Sequence, residues 1–440
     1  MDRRKLLENP YRPGAGHIPP FLAGRIDEQE FFKRVIRQDN PTDNILITGL
    51  RGFGKTVLLS SLRAAAEQDG WLWVGNDLSE SASLTEERLA LRILTDLSQA
   101  MANRFASIES GLAGSSVHAP HEADEQRASD EQQLFETLKG CYETSPGLPS
   151  DRLKSVMSRA SSMAARARVP GIILAYDEAQ CLCDHAERNE FPMSMLLDTV
   201  ASGQKKATVV PCLLILCGLP HLLNALTETR TYTERMFHVM RLDRLSRDDT
   251  WAALTRPLSR MMPPLYASPK LIAKVVDLTN GYPYFIQFFG KELVEQLLRN
   301  GGTLGDDEFP STETLDHLDS GLFGARWNNT TNKQRDFLRI VASRGQYAAA
   351  EFSAQEVSTL SKNYGDSEVS NAQATQLLQA LCERGIVYRT RHGFYAFTVP
   401  MSDEMILRRL QSEEEVVKSW QEPPLPKTLR KKATSWLWFT

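Results

Sequence analysis

The apolar residues of this chain gather in two patterns, short unbroken runs and longer stripes with helical spacing. The unbroken runs are Ile45–Thr48, Trp71–Val74, the stretch opening Gly171–Gln180, Val209–Leu216 and the strand-like Met236–Leu242. Helical stripes lie around Phe31, Phe32, Val35 and Ile36, over Leu84–Met101 with apolar residues at 89, 91, 94, 97 and 101, and over Leu153–Arg168, closed by Val169-Pro170. Apolar runs alternating with helices predict an α/β domain with a parallel sheet. Residues 9–25 hold too much Pro and Gly for a regular element and predict an extended approach segment. Residues 108–131, rich in Ser, Gly, Ala, His, Asp and Glu and poor in large apolar groups, predict an exposed or disordered insertion, taken to extend to about residue 150.

From Leu245 to Leu298 the spacing is helical, opened by Ser246 as an N-cap with an acidic first turn, and predicts a helical lid. Helices over Asn332–Arg344, Phe352–Lys362 and Asn371–Arg384 are followed by strands Ile386–Thr390 and Phe394–Val399, with Arg391-His392-Gly393 at the tip. That order predicts a winged helix. The expected organisation is therefore an N-terminal segment and first helix (1–40), a sheet domain (41–243), a lid (244–330), a winged helix (331–410) and a tail (411–440).

Composition narrows the picture little: 440 residues, 42% hydrophobic and 24% charged, describe a globular chain of several domains. A net charge of -4 supplies no global attraction to nucleic acid, so any such binding needs a local patch. Six scattered cysteines and a start without an apolar signal core predict a reduced, cytoplasmic protein. No run approaches the roughly eighteen apolar residues of a membrane span. Cys181, Cys183 and His185 match no common zinc spacing and are expected to be buried or partly buried groups.

Candidate chemistry starts at the end of the first apolar run. Gly49–Thr56 match G-x-x-x-x-G-K-[ST] at every specified position, with a strand before and a helix after. Gly49, Leu50, Arg51, Gly52, Phe53, Gly54, Lys55, Thr56 and Val57 are the expected nucleotide contacts. The glycines let successive N–H groups turn toward phosphate oxygens, Lys55 reaches the β- and γ-phosphates, and the Thr56 hydroxyl is a ligand for Mg²⁺. The run after Gly171 ends in Asp177 and Glu178, where the first acid holds Mg²⁺ and the second polarises the attacking water. ATP and Mg²⁺ are the expected cofactors. The next strand ends in Cys217-Gly218-Leu219-Pro220, so a position where many ATPases place a polar γ-phosphate sensor carries a thiol. Arg230 and Arg235 precede the last strand, and either suits a neighbouring copy's γ-phosphate. Gly281-Tyr282-Pro283-Tyr284 places Pro283 in the first turn of a helix, against a nucleotide or against the core.

With these parts in order, residues 9–410 resemble the AAA+ ATPases of the origin-recognition and initiator type, and transposition and secretion ATPases with a Gly-x-Pro turn, here Gly218-Leu219-Pro220. The resemblance implies that Phe21–Glu28, with Gly24 and Arg25, lies over adenine, and that Arg235 acts in trans across a self-associated nucleotide interface. It implies slow ATP hydrolysis and engagement of DNA or a DNA-bound complex through the winged helix. The chain departs from that pattern at Cys217, in the sensor position, and at Tyr284, where initiators carry a lid arginine, and its Gly281-Tyr282-Pro283 lid resembles that of STAND switch ATPases. That similarity implies a second reading, a signalling switch that docks a protein effector. The third winged-helix element offers Gln373, Gln376 and Gln379 with Arg384 as its only cation, and 326–410 hold about eleven basic against eight acidic residues. Lys427, Arg430, Lys431, Lys432 and Trp436-Leu-Trp-Phe give the tail a basic-aromatic character that suits self-packing, nucleic acid, a membrane surface or a partner groove.

Overall fold

The five apolar runs form β1 (Asn44–Thr48), β2 (Leu72–Val74), β3 (Ile172–Tyr176), β4 (Cys212–Gly218) and β5 (Phe237–Arg241) of one parallel sheet, ordered β2-β3-β4-β1-β5. The computed structural model of the protein describes residues 9–421 except 15, 40, 113–119, 206–208, 230–232, 262–263, 345–350, 364–367 and 400. The chain divides into two units, Met1–Phe309 and Pro310–Thr440, so residues 310–330 fall in the second unit.

Every residue of β1, β3 and β4 is buried, which is why these strands read as continuous apolar runs. Edge strand β5 buries Phe237 and Met240 and exposes His238 and Arg241. Asn44 is the polar exception at the start of β1. Its Oδ1 accepts from Leu214 N at 2.8 Å and from Gln204 Nε2 at 3.0 Å, and its Nδ2 donates to Met236 O at 3.3 Å. One buried amide thus joins the entry of β1 to β4 and to the segment leading into β5.

Around the sheet stand α1 (Ile26–Ile36), α2 (Lys55–Gln68), α3 (Glu86–Leu112), α4 (Pro120–Thr144), α5 (Pro149–Arg166), α6 (Pro192–Lys205) and α7 (Leu222–Thr229). The insertion expected over 108–150 differs from the sequence reading. Outside the undescribed 113–119 it is largely helical, and Leu138 and Tyr142 of α4 enter the same core as Leu94, Leu97 and Met101 of α3 and Val156 of α5. Leu134, Phe135, Leu138 and Tyr142 form a helical stripe that begins only after the polar stretch ends, so the composition of 108–131 did not reveal it.

Three further helices complete the first unit: α8 (Arg247–Arg260), α9 (Pro269–Thr279) and α10 (Pro283–Arg299). Ser246 caps α8 by accepting from Asp249 N at 3.1 Å, and Ser268 caps α9 by accepting from Leu271 N at 3.0 Å. An edge-to-face series of Tyr282, Phe285, Phe289 and Phe309 fills the centre of the lid. The approach segment lies across these helices. Tyr11 is buried against Gly290, where a Cβ would stand 2.5 Å from the Tyr11 ring, and its hydroxyl donates to Leu254 O.

The second unit contains α11 (Thr312–Leu318), α12 (Asn332–Ala342), β6 (Phe352–Ser353), α13 (Ala354–Ser361), α14 (Asn371–Glu383), β7 (Val387–Arg391), β8 (Phe394–Phe397) and α15 (Ser402–Gln421). Its sheet has the order β6-β8-β7, all antiparallel, an arrangement compatible with a winged helix. Phe352, read from sequence as the first residue of a helix, pairs in β6 with Tyr395 and is fully buried beside Phe397. Capping boxes at Thr331 with Gln334 and at Ser370 with Gln373 fix the starts of α12 and α14. The basic-aromatic run at 427–439 lies outside the described residues.

Replacing Asn44 with Ala leaves the Leu214 N–H unpaired in the core, which costs about 2 kcal/mol. Urea unfolding of Asn44→Ala should show its midpoint lowered accordingly; an unchanged midpoint would remove the amide from the stability argument.

Candidate nucleotide-binding site

β1 ends at Thr48 and α2 begins at Lys55, so six residues must turn the chain through a tight loop. Gly52 and Gly54 both take φ +82°, a region that favours glycine, and Gly54 caps the start of α2. The loop carbonyls are held from several directions. Lys55 Nζ donates to Gly49 O at 2.9 Å and to Leu50 O at 3.0 Å. The Tyr282 hydroxyl donates to Arg51 O at 2.6 Å, Tyr284 N to Gly52 O at 3.3 Å, and Arg25 Nη2 to Phe53 O at 3.4 Å. A Cβ on Gly52 would stand 2.3 Å from the Tyr282 hydroxyl oxygen. Burial pushes the Lys55 ammonium below its ordinary pKa, opposed by Cys217, Asp177 and Glu178.

The acid side grows from the tip of β3. Thr56 Oγ1 donates to Asp177 Oδ2 at 2.5 Å, bringing the two expected metal ligands into contact. These are hard oxygen donors, a hydroxyl and a carboxylate, and suit Mg²⁺. Asp177 is buried, and its Oδ1 accepts the backbone N–H of Glu178 at 2.8 Å. Glu178 has φ +52°, an unfavourable conformation for a non-glycine residue, and this turn carries its side chain into the cleft lining while Asp177 stays beneath. Gln180 donates to Glu178 and accepts from Leu219 N at 3.2 Å. Asp77, three residues past the end of β2, makes an isolated parallel bridge with Asp177; burial, then Asp177 and Glu178, raise its pKa. Cys217 is fully buried, and burial, together with Asp177, pushes its thiol well above the usual range.

Between loop and lid lies a cleft of about 340 Å³, within the size range of small-molecule sites. Arg51–Val57 and Glu178 line one side, and Leu245, Ala253, Pro283, Tyr284, Ile286 and Gln287 line the lid side. The approach segment closes the remainder with Arg12, Pro13, Gly14, Gly16, His17, Pro19, Phe21, Leu22, Ala23 and Arg25. Arg12 N donates to Gln287 Oε1 at 3.2 Å, and the Arg256 guanidinium stacks 4.2 Å from the Phe21 ring centroid.

Of the residues singled out by sequence, Arg51, Gly52, Phe53, Gly54, Lys55, Thr56, Val57, Glu178, Arg25 and Pro283 share this lining. Gly49 and Leu50 contribute carbonyls to Lys55 beneath it. Gly24, at φ +61°, packs against Leu245 and Asp249. Arg25 is a buried brace: besides Phe53 O it donates to Asp243 O at 2.6 Å, and burial lowers its pKa against the opposing effect of Glu28. Arg235, at the end of the one-turn helix Thr233–Met236, is exposed and outside the lining; Arg230 lies outside the described residues. Cys183 Sγ lies 3.7 Å from His185 Nε2, and among the described residues no group of three His, Cys, Asp or Glu is placed to hold a metal ion. Sequence reasoning missed Tyr282, Arg12, His17, Asp77 and Gln180. The Pro- and Gly-rich stretch 9–25 was the available signal for Arg12 and His17, because a segment without its own hydrogen-bond ladder must rest on something else.

The ORC2 protein of Aeropyrum pernix, in ADPNP–ADP complexes, matches with a TM-score of 0.53 at 14% identity, over 94% of this chain and 99% of that one. A Walker-type ATPase of Pyrococcus abyssi matches with a TM-score of 0.51 at 15% identity, over 88% and 96%. The chain has the AAA+ fold of the origin-recognition ATPases. At these identities the likeness is one of fold. A family model described as a domain of unknown function (DUF8462) matches residues 320–406, within the second unit. No curated protein sequence matches the chain. No helix among the described residues is long and apolar enough to cross a membrane.

In this AAA+ core the loop depends on Gly52 in two ways, through its φ and through Tyr282. Gly52→Ala should weaken ATP binding at least tenfold, by analogy with the ~1–3 kcal/mol of a strained backbone position. Pairing it with Tyr282→Ala relieves the clash but leaves the φ penalty, so titration of the double variant with a fluorescent ATP analogue should show partial recovery only. Full recovery would assign the whole effect to Tyr282.

Proposed function

We propose that the protein is an ATPase that binds ATP·Mg²⁺, hydrolyses it slowly, assembles through its nucleotide interface and engages DNA through the second unit. The observation that carries this reading is the convergence of Lys55, Thr56, Asp177 and Glu178 at the tips of β1 and β3. Thr56 Oγ1 and the Asp177 carboxylate would hold Mg²⁺, which when bound neutralises charge on the β- and γ-phosphates. Lys55 exchanges its loop carbonyls for phosphate oxygens. Glu178 accepts a proton from the attacking water as its oxygen bonds to the γ-phosphorus and the bond to the bridging oxygen breaks. The approach segment and Pro283 enclose the nucleoside end.

Arg235 is exposed, as a residue acting on a neighbouring copy's γ-phosphate requires. Arg230 and Arg235 both remain candidates for that role. In the second unit, α14 exposes Gln376 and Gln379, which suit adenine edges, with the exposed Arg384 suited to phosphates and Arg389 exposed but hydrogen-bonded to His392 Nδ1 at 2.6 Å. Arg391 is engaged by Glu351 at 2.8 Å and stacks on Phe394. That pairing favours the second reading, a switch that docks a protein effector.

Lys55→Ala should abolish measurable nucleotide binding, and Glu178→Gln should bind ATP normally while losing about a hundredfold or more in turnover. Hydrolysis unaffected by Lys55→Ala would end the ATPase reading. Mixing Arg235→Ala with Lys55→Ala protein should restore some turnover across mixed interfaces; no rescue in co-assembled mixtures counts against Arg235. On the DNA reading, Arg389→Ala lowers duplex affinity evenly across sequences and reduces the salt slope by about one. Salt-insensitive behaviour with co-purification of a protein partner would favour the effector.

A further inference from the structure

Arg51 is the only arginine in the Gly49–Gly54 loop, and both peptides that flank it are fixed. Leu50 O, in the peptide entering Arg51, accepts from Lys55 Nζ at 3.0 Å, and Arg51 O, in the peptide leaving it, accepts from the Tyr282 hydroxyl at 2.6 Å. The root of the side chain is therefore held by α2 on one side and by the lid corner on the other. The side chain itself is exposed and lines the cleft with Lys55 and Glu178. Among the described residues no hydrogen bond or ion pair engages its guanidinium. The other arginines around the cleft are placed differently. Arg25 is taken up by Phe53 O and Asp243 O, Arg256 stacks on Phe21, and Arg12 enters with the approach segment, fastened by its own N–H to Gln287 on the lid.

A guanidinium without a carboxylate partner, set in the field of an ammonium, is a repulsive arrangement that a bound anion relieves. The field is felt at Lys55: burial lowers its pKa, Cys217, Asp177 and Glu178 oppose that, and Arg51 lowers it again. It is felt also at Cys181, in the turn after Glu178, where burial, Glu80 and Glu178 raise the thiol and Arg51 opposes them. Arg51 thus stands on the side of the cleft where Glu178 faces the reacting phosphate. The tip of β4 supplies no charge there, since Cys217 is fully buried and burial keeps its thiol protonated. The lid wall contributes Tyr284, also uncharged. A guanidinium fork makes paired, charge-assisted hydrogen bonds to phosphate oxygens. Resting on the ATPase reading above, we propose that Arg51 binds the γ-phosphate of the nucleotide held by its own chain and so makes the affinity of the site depend on that phosphate. A diphosphate lacks the oxygens that Arg51 grips and leaves the guanidinium in solvent. Because Tyr282 holds the Arg51 carbonyl, this residue also ties the third phosphate to the lid corner.

The test titrates the full chain and its Arg51 variants by calorimetry, with Mg²⁺ present, against ADP and against ADPNP, a non-hydrolysable ATP analogue. Arg51→Ala should bind ADPNP at least about tenfold more weakly, with ADP affinity within about twofold of the parent. Arg51→Lys keeps the charge without the fork and should recover part of the loss. An equal loss for both nucleotides would make Arg51 a support of the loop and overturn the proposal, as would an ADPNP affinity that Arg51→Ala leaves unchanged. Where Arg51→Ala melts early, Arg51→Gln, which keeps a polar stem without the charge, decides by the same criteria. Adding Lys55→Ala protein, whose own site is disabled and whose Arg51 is intact, should leave the ADPNP affinity of Arg51→Ala protein as it was. Recovery in that mixture would put Arg51 on a neighbouring copy's nucleotide and overturn the assignment to its own chain. A parent chain that binds neither nucleotide removes the ATPase reading itself, and the proposal with it; a parent that binds both, with Arg51→Ala indistinguishable from it, removes the proposal alone.

Discussion

The Gly49–Gly54 loop keeps its shape because its carbonyls are held by donors from outside it. Gly49 O and Leu50 O are taken by Lys55, Arg51 O by Tyr282, Gly52 O by Tyr284 N and Phe53 O by Arg25. A trans peptide carries its C=O and N–H on opposite sides, so each carbonyl fixed in this way also fixes the direction of the N–H that follows. The donors come from three separated stretches of chain: the helix after the loop, the start of α10 and the segment before α1. The loop's geometry is therefore a property of the whole first unit, and the lid corner is a structural part of the candidate site.

The same dependence runs through Gly281. Its φ of +69° and its hydrogen bond from Leu245 N, at 2.8 Å, leave no room for a side chain, since a Cβ would stand 2.3 Å from Leu245 O. Leu245 precedes α8 and lines the cleft, and Gly24 packs on its side chain. Lid corner, approach segment and sheet meet at that residue. Arg25 reinforces the junction by joining Phe53 O to Asp243 O, which explains a buried arginine beside the cleft: it is satisfied by carbonyls, with Glu28 3.8 Å away. A cation held this tightly shapes the cleft more than it reaches into it.

What was legible in the sequence followed from local order. Gly49–Thr56 and Asp177-Glu178 each lie on one continuous strand-to-turn stretch, so their places at the ends of β1 and β3 were legible from spacing. Tyr282 was not legible, because its partner Arg51 is 231 residues away and a tyrosine after glycine carries no signal of its own. Helix α4, which packs against the expected helix α3, was missed because its buried stripe starts beyond the polar stretch that drew attention. Phe352 was placed in a helix because a two-residue strand is too short for any period to show. The sequence placed Arg391 at the tip between two strands but carried no sign of its pairing, because Glu351, its partner, lies 40 residues earlier. In each case the missing information was a tertiary contact that overrides local pattern.

The second unit shows how far such contacts redistribute charge. Arg344 pairs with Glu356, Arg391 with Glu351, Arg408 with Asp316 and Arg409 with Asp319, at 2.6 to 2.9 Å. These arginines are directed to the unit's own carboxylates, which leaves the face of α14 neutral and glutamine-rich with Arg384 and Arg389 at its margin. A single such face neutralises few phosphates, and affinity for DNA rises steeply with the number neutralised. On the DNA reading, useful affinity then requires several copies side by side, each adding a weak contact at high effective concentration. Nucleotide-dependent assembly through the first unit would supply that alignment, so on this reading the neutrality of the α14 face would make DNA engagement depend on ATP.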